Sequence, residues 1–293
     1  MKYRAILHII GFLLLLNGLF ILTGIGFSLY YQSDDISALL ISGIGTSFCG
    51  LLLWFATRRT EITELGKREG YLIVTLGWIV MTIFGALPFI FYGAIPSYTD
   101  AFFETMSGFT TTGATILTDI EKLPPGLLFW RSLTQWLGGM GIIVLSLAIL
   151  PLLGIGGMQL FTAEVPGVTK DKIHPRVQET AKRLWGIYVI LTAAETALLM
   201  VGGLNLFDAI NHSFTTMATG GFSTKNASIA YYTSPFVQYV FILFMFFAGT
   251  NFTLHYLGFH GKFKSFKENT EFKYYLGFTL FASLFILMIH LPH

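Results

Sequence analysis

The sequence predicts an all-α polytopic membrane protein in which helix, re-entrant loop and helix repeat, and three observations predict it. The 293 residues are 54% hydrophobic and only 12% charged, with a mean hydropathy of +0.66. Soluble chains carry roughly 25% charged residues. The apolar residues gather into seven runs long enough to cross a hydrocarbon core of about 30 Å, which takes about 20 helical residues. Between two of these runs lies Ser107–Thr115, Ser-Gly-Phe-Thr-Thr-Thr-Gly-Ala-Thr, too polar to face lipid and too short to span a bilayer. A weaker twin follows 108 residues later: Asp100 aligns with Asp208, Ser107 with Thr215, Thr111 with Thr219, Gly113 with Gly221 and Thr115 with Ser223. A polar loop recurring at fixed spacing between apolar helices points to a structural repeat built around a site.

The seven runs cover residues 5–30, 36–56, 71–95, 127–150, 184–206, 235–257 and 274–291. The first is not a signal peptide despite Lys2 and Arg4, because it exceeds the roughly 7–15 residues of a signal core and no Ala-x-Ala site follows. Cytoplasmic loops hold the excess of basic residues. With the N-terminus inside, Lys2, Arg4, Arg58, Arg59, Lys67, Arg68, Lys170, Lys172, Arg176, Lys182, Arg183, Lys262, Lys264, Lys267 and Lys273 face the cytoplasm, 15 of the 18 Lys and Arg. Only Lys122, Arg131 and Lys225 fall outside, among Asp34, Asp35, Asp100, Glu104, Asp119, Glu121 and Asp208. The resulting organisation is a two-helix N-terminal domain over 1–69, a first pore repeat over 70–157 and a cytoplasmic connector over 158–183. A second pore repeat over 184–260 and a cytoplasmic loop with one helix over 261–293 complete it.

The segments 96–126 and 207–234 then lie on one outer face. Each opens with a helix-compatible stretch headed by Asp100 or Asp208, expected to cap the free amides of a helix start. From Asp100 to Phe109 such a helix is about 15 Å long, half the membrane core, so the chain dips to mid-membrane and returns. Backbone carbonyls exposed at that depth are tolerated only where they are buried in protein or line a watery cavity. Dehydrating a cation requires replacement oxygens, and the run from Thr110 to Gly113 offers successive carbonyls toward one axis. Glycine reaches conformations that side chains forbid. The short helix before it adds about half a negative charge at its C-terminal end.

These residues carry a family resemblance. Phe103-Glu104-Thr105-Met106-Ser107-Gly108-Phe109-Thr110-Thr111-Thr112-Gly113-Ala114-Thr115, followed by Trp130-Arg131-Ser132-Leu133-Thr134-Gln135-Trp136-Leu137-Gly138-Gly139-Met140-Gly141, resembles the first pore loop and following helix of the TrkH/KtrB potassium-uptake family. Asn211-His212-Ser213-Phe214 through Ala218-Thr219-Gly220-Gly221-Phe222-Ser223-Thr224 resembles the second pore loop. The two helices before the first repeat favour the TrkH branch. The resemblance implies four pore units of potassium-channel type around one ion path, with Thr110, Thr111, Thr112 and Gly113 as one quarter of a selectivity filter. Ala218, Thr219, Gly220 and Gly221 form another, and K+ is held by backbone carbonyls, those of Thr111, Thr112, Thr219 and Gly220 above all. Glycine rather than serine at the position of Gly113 goes, in related plant transporters, with potassium preference. The resemblance further implies a homodimer, a bilayer setting in the cytoplasmic (inner) membrane, and docking of a nucleotide-binding regulatory ring of the TrkA type on the basic segment from Gly157 to Arg183. It also implies two more repeats, so that His293 falls in the first helix of a third and the chain is expected to be part of a longer architecture.

Other candidates compete with this reading. Glu195 is the one acidic residue well inside an expected crossing, where burial costs about 2.5–3.5 kcal/mol on insertion scales. It is read as an ion-path or proton-coupling carboxylate, or as one end of an interhelical hydrogen bond, and the first option makes a proton- or sodium-coupled secondary transporter the alternative function. A non-conducting membrane fragment is the third. Glu104 and Asp100 are candidates for concentrating cations at the pore mouth, and Arg131 is expected to pair with a carboxylate or snorkel. Enzymatic function has no support. Gly154-Ile155-Gly156-Gly157 has Gln159 where a dinucleotide fingerprint needs glycine, and Gly45-Thr46-Ser47-Phe48-Cys49 misses a nucleophile elbow. No His-x-x-x-His pair supports a zinc centre. The single Cys49 can form neither an intrachain disulfide nor a multi-cysteine site. A net charge of +2 gives no basic face for nucleic acid.

Overall fold

The computed structural model describes residues 3–58, 67–149 and 173–290. Helices α1 (Tyr3–Tyr30) and α2 (Ile36–Ala56) form an antiparallel hairpin. Small residues let their backbones touch: Gly11 faces Gly50 and Gly18 faces Gly43, and a Cβ added at Gly50 would sit 2.7 Å from the Gly11 carbonyl oxygen. Close approach of this kind drives helix association where lipid offers no hydrophobic gain.

Two units of one design follow. In the first, α3 (Lys67–Gly85) and α4 (Leu87–Tyr92) make one crossing with a break at Ala86. Then come the 12-residue helix α5 (Tyr98–Phe109), a polar loop, and α6 (Pro125–Ile149). In the second, α7 (Ile173–Val201) is followed by the 12-residue α8 (Leu206–Met217), a second polar loop, and α9 (Pro235–Ala248). Each loop contains a 3-10 turn at the same place, Ile120–Lys122 and Ser228–Tyr231, whose starts again differ by the repeat length. At 1.5 Å per residue α5 and α8 are about 18 Å long, too short to cross.

Five helical segments among the described residues are long and apolar enough to span a membrane: Tyr3–Tyr30, Ile36–Ala56, Arg68–Tyr92, Lys182–Val201 and Thr270–Ile289. The run at 235–257, expected as one straight crossing, is not one. It breaks between α9 and α10 (Phe252–Phe259) with a bend of 104°. Gly249 and Thr250 end α9, and the Asn251 side chain restarts the helix by accepting from the Thr253 amide at 2.9 Å. The short α11 (Lys264–Glu268) then leads to α12 (Thr270–His290). Tyr275 of α12 fills the space beside Gly249 and donates to the Phe246 carbonyl at 3.4 Å.

The interior is built around α6. Trp130, Leu127, Leu133 and Phe109 form one buried cluster with α1 and α5, and Tyr188, Leu199, Met217 and Phe241 form another behind α8. Trp136 joins the two by stacking on Tyr188 and Phe214 at ring-centroid distances of 5.6 and 5.0 Å.

Candidate functional site

Each half-length helix starts three residues before its aspartate position suggests. Ser97 and Asn205 are the N-caps, and their side chains accept from the amides of Asp100 and Asp208 at 3.4 and 2.7 Å. The aspartates occupy the third helical position instead, where a carboxylate complements the positive end of the helix. Asp208 also holds the chain beyond the second loop, accepting from Thr224 Oγ1 at 2.5 Å.

The two loops share an unusual backbone. Thr111 and Thr219 have φ of +53° and +55°, and Gly113 and Gly221 have φ of +75° and +77°, while Thr112 and Gly220 between them lie outside the left-handed region. Left-handed geometry is at home in glycine but an outlier for a β-branched residue. Alternation of this kind turns successive peptide planes so that their carbonyl oxygens can face one side. The amides, meanwhile, fold back onto the preceding helix: Thr112 N donates to Ser107 O, and Gly220 N to Thr215 O, at 3.0 and 2.9 Å. Those two amides are thus occupied at the helix ends.

The loops abut one another at Gly113. A Cβ added there would overlap the Gly220 carbonyl oxygen and lie 3.1 Å from its carbon. Thr110, Thr112, Thr219 and Gly221 are exposed, Thr111 and Gly113 half-buried, and Ala218 and Gly220 buried. The eight residues singled out from sequence thus form two adjoining loops at the ends of two half-length helices.

Behind the loops, pairs of side chains repeat in register. Glu104 of α5 accepts from Thr115 Oγ1 at 2.8 and 3.0 Å and from the Ile116 amide at 2.9 Å. His212 of α8, 108 residues on, bonds Ser223 Oγ through Nε2 at 2.9 Å and the Asp208 carbonyl through Nδ1 at 2.8 Å. Each pair ties a half-length helix to the strand leaving its loop. Glu104 therefore does not stand at the mouth as expected: it is 1% exposed and forms a 2.7 Å ion pair with Arg131 Nε, itself 2% exposed. Arg131 thus takes the pairing option rather than snorkelling.

Helix α6 holds both loops with one face. Gly108 of α5 packs on Thr134, Gly138 on the Phe109 carbonyl and Gly139 on Ala218, and each contact leaves no room for a Cβ. Gln135 lies against Gly220 and accepts from the Phe222 amide at 3.1 Å. Arg131, Gln135 and His212 were not named as site residues from sequence. The repeat register that pairs Thr115 with Ser223 could have found His212 through Glu104, whereas nothing local announces Gln135.

Glu195 is fully buried in α7, and neither carboxylate oxygen has a hydrogen-bond partner among the described residues. The Thr216 hydroxyl of α8 lies beside it, outside strict hydrogen-bond geometry. Thr216 is thus the neighbour across the helix pair from which the expected interhelical hydrogen bond can come. Most of the basic segment from Gly157 to Arg183 lies outside the described residues.

Two units of a half-length helix and a polar loop, set in a bundle of membrane-length helices, define a multi-pass membrane protein with a duplicated re-entrant element. The family model TrkH, cation transport protein, matches residues 35–292, and the chain belongs to that family. It is 47% identical over 286 residues to the Trk system potassium uptake protein TrkH of Escherichia coli strain K12, covering 96% of this chain and 59% of that protein. It is also 34% identical over 284 residues to an uncharacterized cation transporter of Methanocaldococcus jannaschii, covering 97% of this chain and 58% of that one. The crystal structure of the potassium transporter TrkH from Vibrio parahaemolyticus superposes with a TM-score of 0.85 at 39% identity, over 99% of this chain and 60% of that one. The chain thus spans about three fifths of the length of the relatives it matches.

Proposed function

We propose that this chain supplies two filter loops of a potassium uptake pathway across the cytoplasmic membrane, with its N-terminus inside. In this reading the carbonyls of Thr110–Gly113 and Ala218–Gly221 replace the hydration shell of K+, which is the transported ion and not a resident cofactor. The observation that carries the reading is the paired left-handed backbone at Thr111/Gly113 and Thr219/Gly221. The left-handed φ at Thr111 and Thr219 closes the ends of α5 and α8, where the amides of Thr112 and Gly220 reach back to the Ser107 and Thr215 carbonyls; the second left-handed residue of each loop, Gly113 or Gly221, lies beyond that cap and is what extends the turn into a repeated loop. The negative ends of α5 and α8 aim at the same loops and favour a cation.

The relatives named as potassium uptake proteins support the choice of ion. A second copy of the chain and a TrkA-type nucleotide-binding ring on the basic face are the partners that fit this reading, with gating from that ring. The test is ion flux in proteoliposomes carrying the protein expressed from its own gene. Potassium flux at least about tenfold above sodium flux supports the proposal, and equal fluxes sink it.

Glu195 favours a second reading, proton-coupled transport, because a carboxylate fully buried inside a membrane-length helix is a costly group that membrane carriers use for proton relay. Reversal potentials across a pH gradient separate the two, since a passive conduit ignores the proton gradient.

A further inference from the structure

We propose that Arg131 is a positioning residue for ion selectivity, locking the strand that leaves the second filter loop to the helix that precedes the first. The inference rests on reading the two loops as a filter.

Three contacts converge on one guanidinium. Its Nε donates to Glu104 Oε1 at 2.7 Å, one terminal nitrogen donates to the Ser223 carbonyl at 3.1 Å, and its Cζ lies over the Phe222 ring, 3.5 Å from the centroid. Glu104 also receives Thr115 Oγ1 and the Ile116 amide, so the carboxylate is fixed to the first loop's exit on its other side. A continuous chain of charge-assisted contacts therefore runs from Ile116, through Glu104 and Arg131, to Phe222 and Ser223. It joins the residues immediately beyond Gly113 to those immediately beyond Gly221.

The link is asymmetric. The local tie within each repeat is duplicated, Glu104 to Thr115 and His212 to Ser223. The arginine is not: α6 and α9 both start on proline, at Pro125 and Pro235, and at that offset the buried Phe241, edge-on to the His212 ring, takes the place of Arg131. Arg131 thus serves the junction between these two loops, the junction at which Gly113 meets Gly220.

A buried ion pair is seldom a net gain over apolar packing, and its best-attested use is to fix register. Arginine suits that use because its planar fork reaches two oxygens at fixed angles while stacking on an aromatic face; lysine offers one compact charge. A lysine at this position can keep the Glu104 contact, but it cannot also hold the Ser223 carbonyl and stack on Phe222.

The experiment measures K+ and Na+ uptake by Arg131→Lys, with the protein expressed from its own gene and its membrane abundance monitored. The expected result is near-normal abundance with K+/Na+ discrimination lowered about tenfold, seen as a raised KM for K+ with little change in maximal rate. Unchanged discrimination in an abundant Arg131→Lys protein overturns the proposal. Should that variant fail to accumulate, Phe222→Leu tests the same junction from the other side, with a smaller loss of discrimination expected and none overturning the proposal. Gly113→Ser runs alongside: if it too leaves discrimination intact, the filter reading itself has failed, whereas a loss confined to Gly113→Ser removes only the role of Arg131.

Discussion

Gly113→Ser is the perturbation whose consequence the geometry fixes most fully. Two costs add. The serine must adopt φ near +75°, which costs an L side chain roughly 1–2 kcal/mol. Its Cβ must also displace the Gly220 carbonyl, because that atom would overlap the oxygen and lie 3.1 Å from the carbon. Restoring van der Waals contact moves one loop by on the order of 1 Å, and a misplacement of that size in a preorganised site costs about 10²-fold. Gly221→Ser is the comparison: it carries the same backbone cost at φ +77°, yet among the described residues no atom lies within 4 Å of its Cβ. The assay is competitive K+ and Na+ uptake in a potassium-uptake-deficient strain, normalised to protein in the membrane. Gly113→Ser is expected to lower K+/Na+ discrimination by about tenfold to hundredfold, or 1.4–2.7 kcal/mol. Discrimination within about twofold of the parent would mean that the Gly113–Gly220 contact does not shape the ion path, and the reasoning would be refuted.

Three further outcomes follow from the same contacts. Gly138→Ala places a methyl against the Phe109 carbonyl and is expected to lower the thermal unfolding temperature in detergent, as overpacking of a dense core costs about 1–3 kcal/mol. Glu195→Gln is expected to leave uptake close to normal if the carboxylate only packs, and to abolish any pH-gradient dependence of the reversal potential if it carries a proton; transport assays at two pH values decide. The Asp119 carboxyl is held below its ordinary 3.8 by the Asn226 amide first and by Lys122 second, in a clamp where Asn226 also accepts from the Ile120 amide at 2.7 Å. A depressed carboxyl stabilises above its ordinary value and loses that contribution as pH falls through the lowered one. The protection of the Ile120 amide, its exchange rate taken relative to an unprotected amide at the same pH, is therefore expected to hold at pH 5 and to fall only below about pH 3.8 in the parent. In Asn226→Ala that protection is expected to be lost throughout.

Much of this arrangement is written in residue types. Thr111, Gly113, Thr219 and Gly221 stand out in the chain because they sit in short polar loops between long apolar runs, and their 108-residue spacing carries directly into matching φ angles. Aspartate is as good a cap as serine or asparagine in type, so residue type alone points to Asp100 and Asp208, and only the hydrogen bonds show Ser97 and Asn205 accepting from the Asp amides. The break at Gly249–Asn251 is silent in hydropathy: residues 235–257 are apolar enough to span, and an asparagine that restarts a helix does not register there. Glu104 was drawn to the mouth by its charge. Its partner Arg131 lies 27 residues away on another helix, a pairing that local sequence cannot express.

What positions both loops is the first half of α6, and its start is itself held from elsewhere. Asp35, buried at the end of the N-terminal hairpin, accepts from the Leu127 amide at 2.9 Å and so caps the first turn of α6. Trp130 Nε1 donates to the Gly85 carbonyl at 2.9 Å and fixes the next turn against the preceding crossing. Positions 131, 134, 135, 138 and 139 then recur at the three- and four-residue spacing of a single helical face, within about 12 Å of axis. Each touches one loop or the helix before it. A helix slipped by one residue turns by about 100°, which would take Arg131 from Glu104 and Gln135 from the Phe222 amide together. The hairpin therefore does more than add two membrane-length helices: through Asp35 it sets the rotation of α6, and through α6 the register of one polar loop against the other.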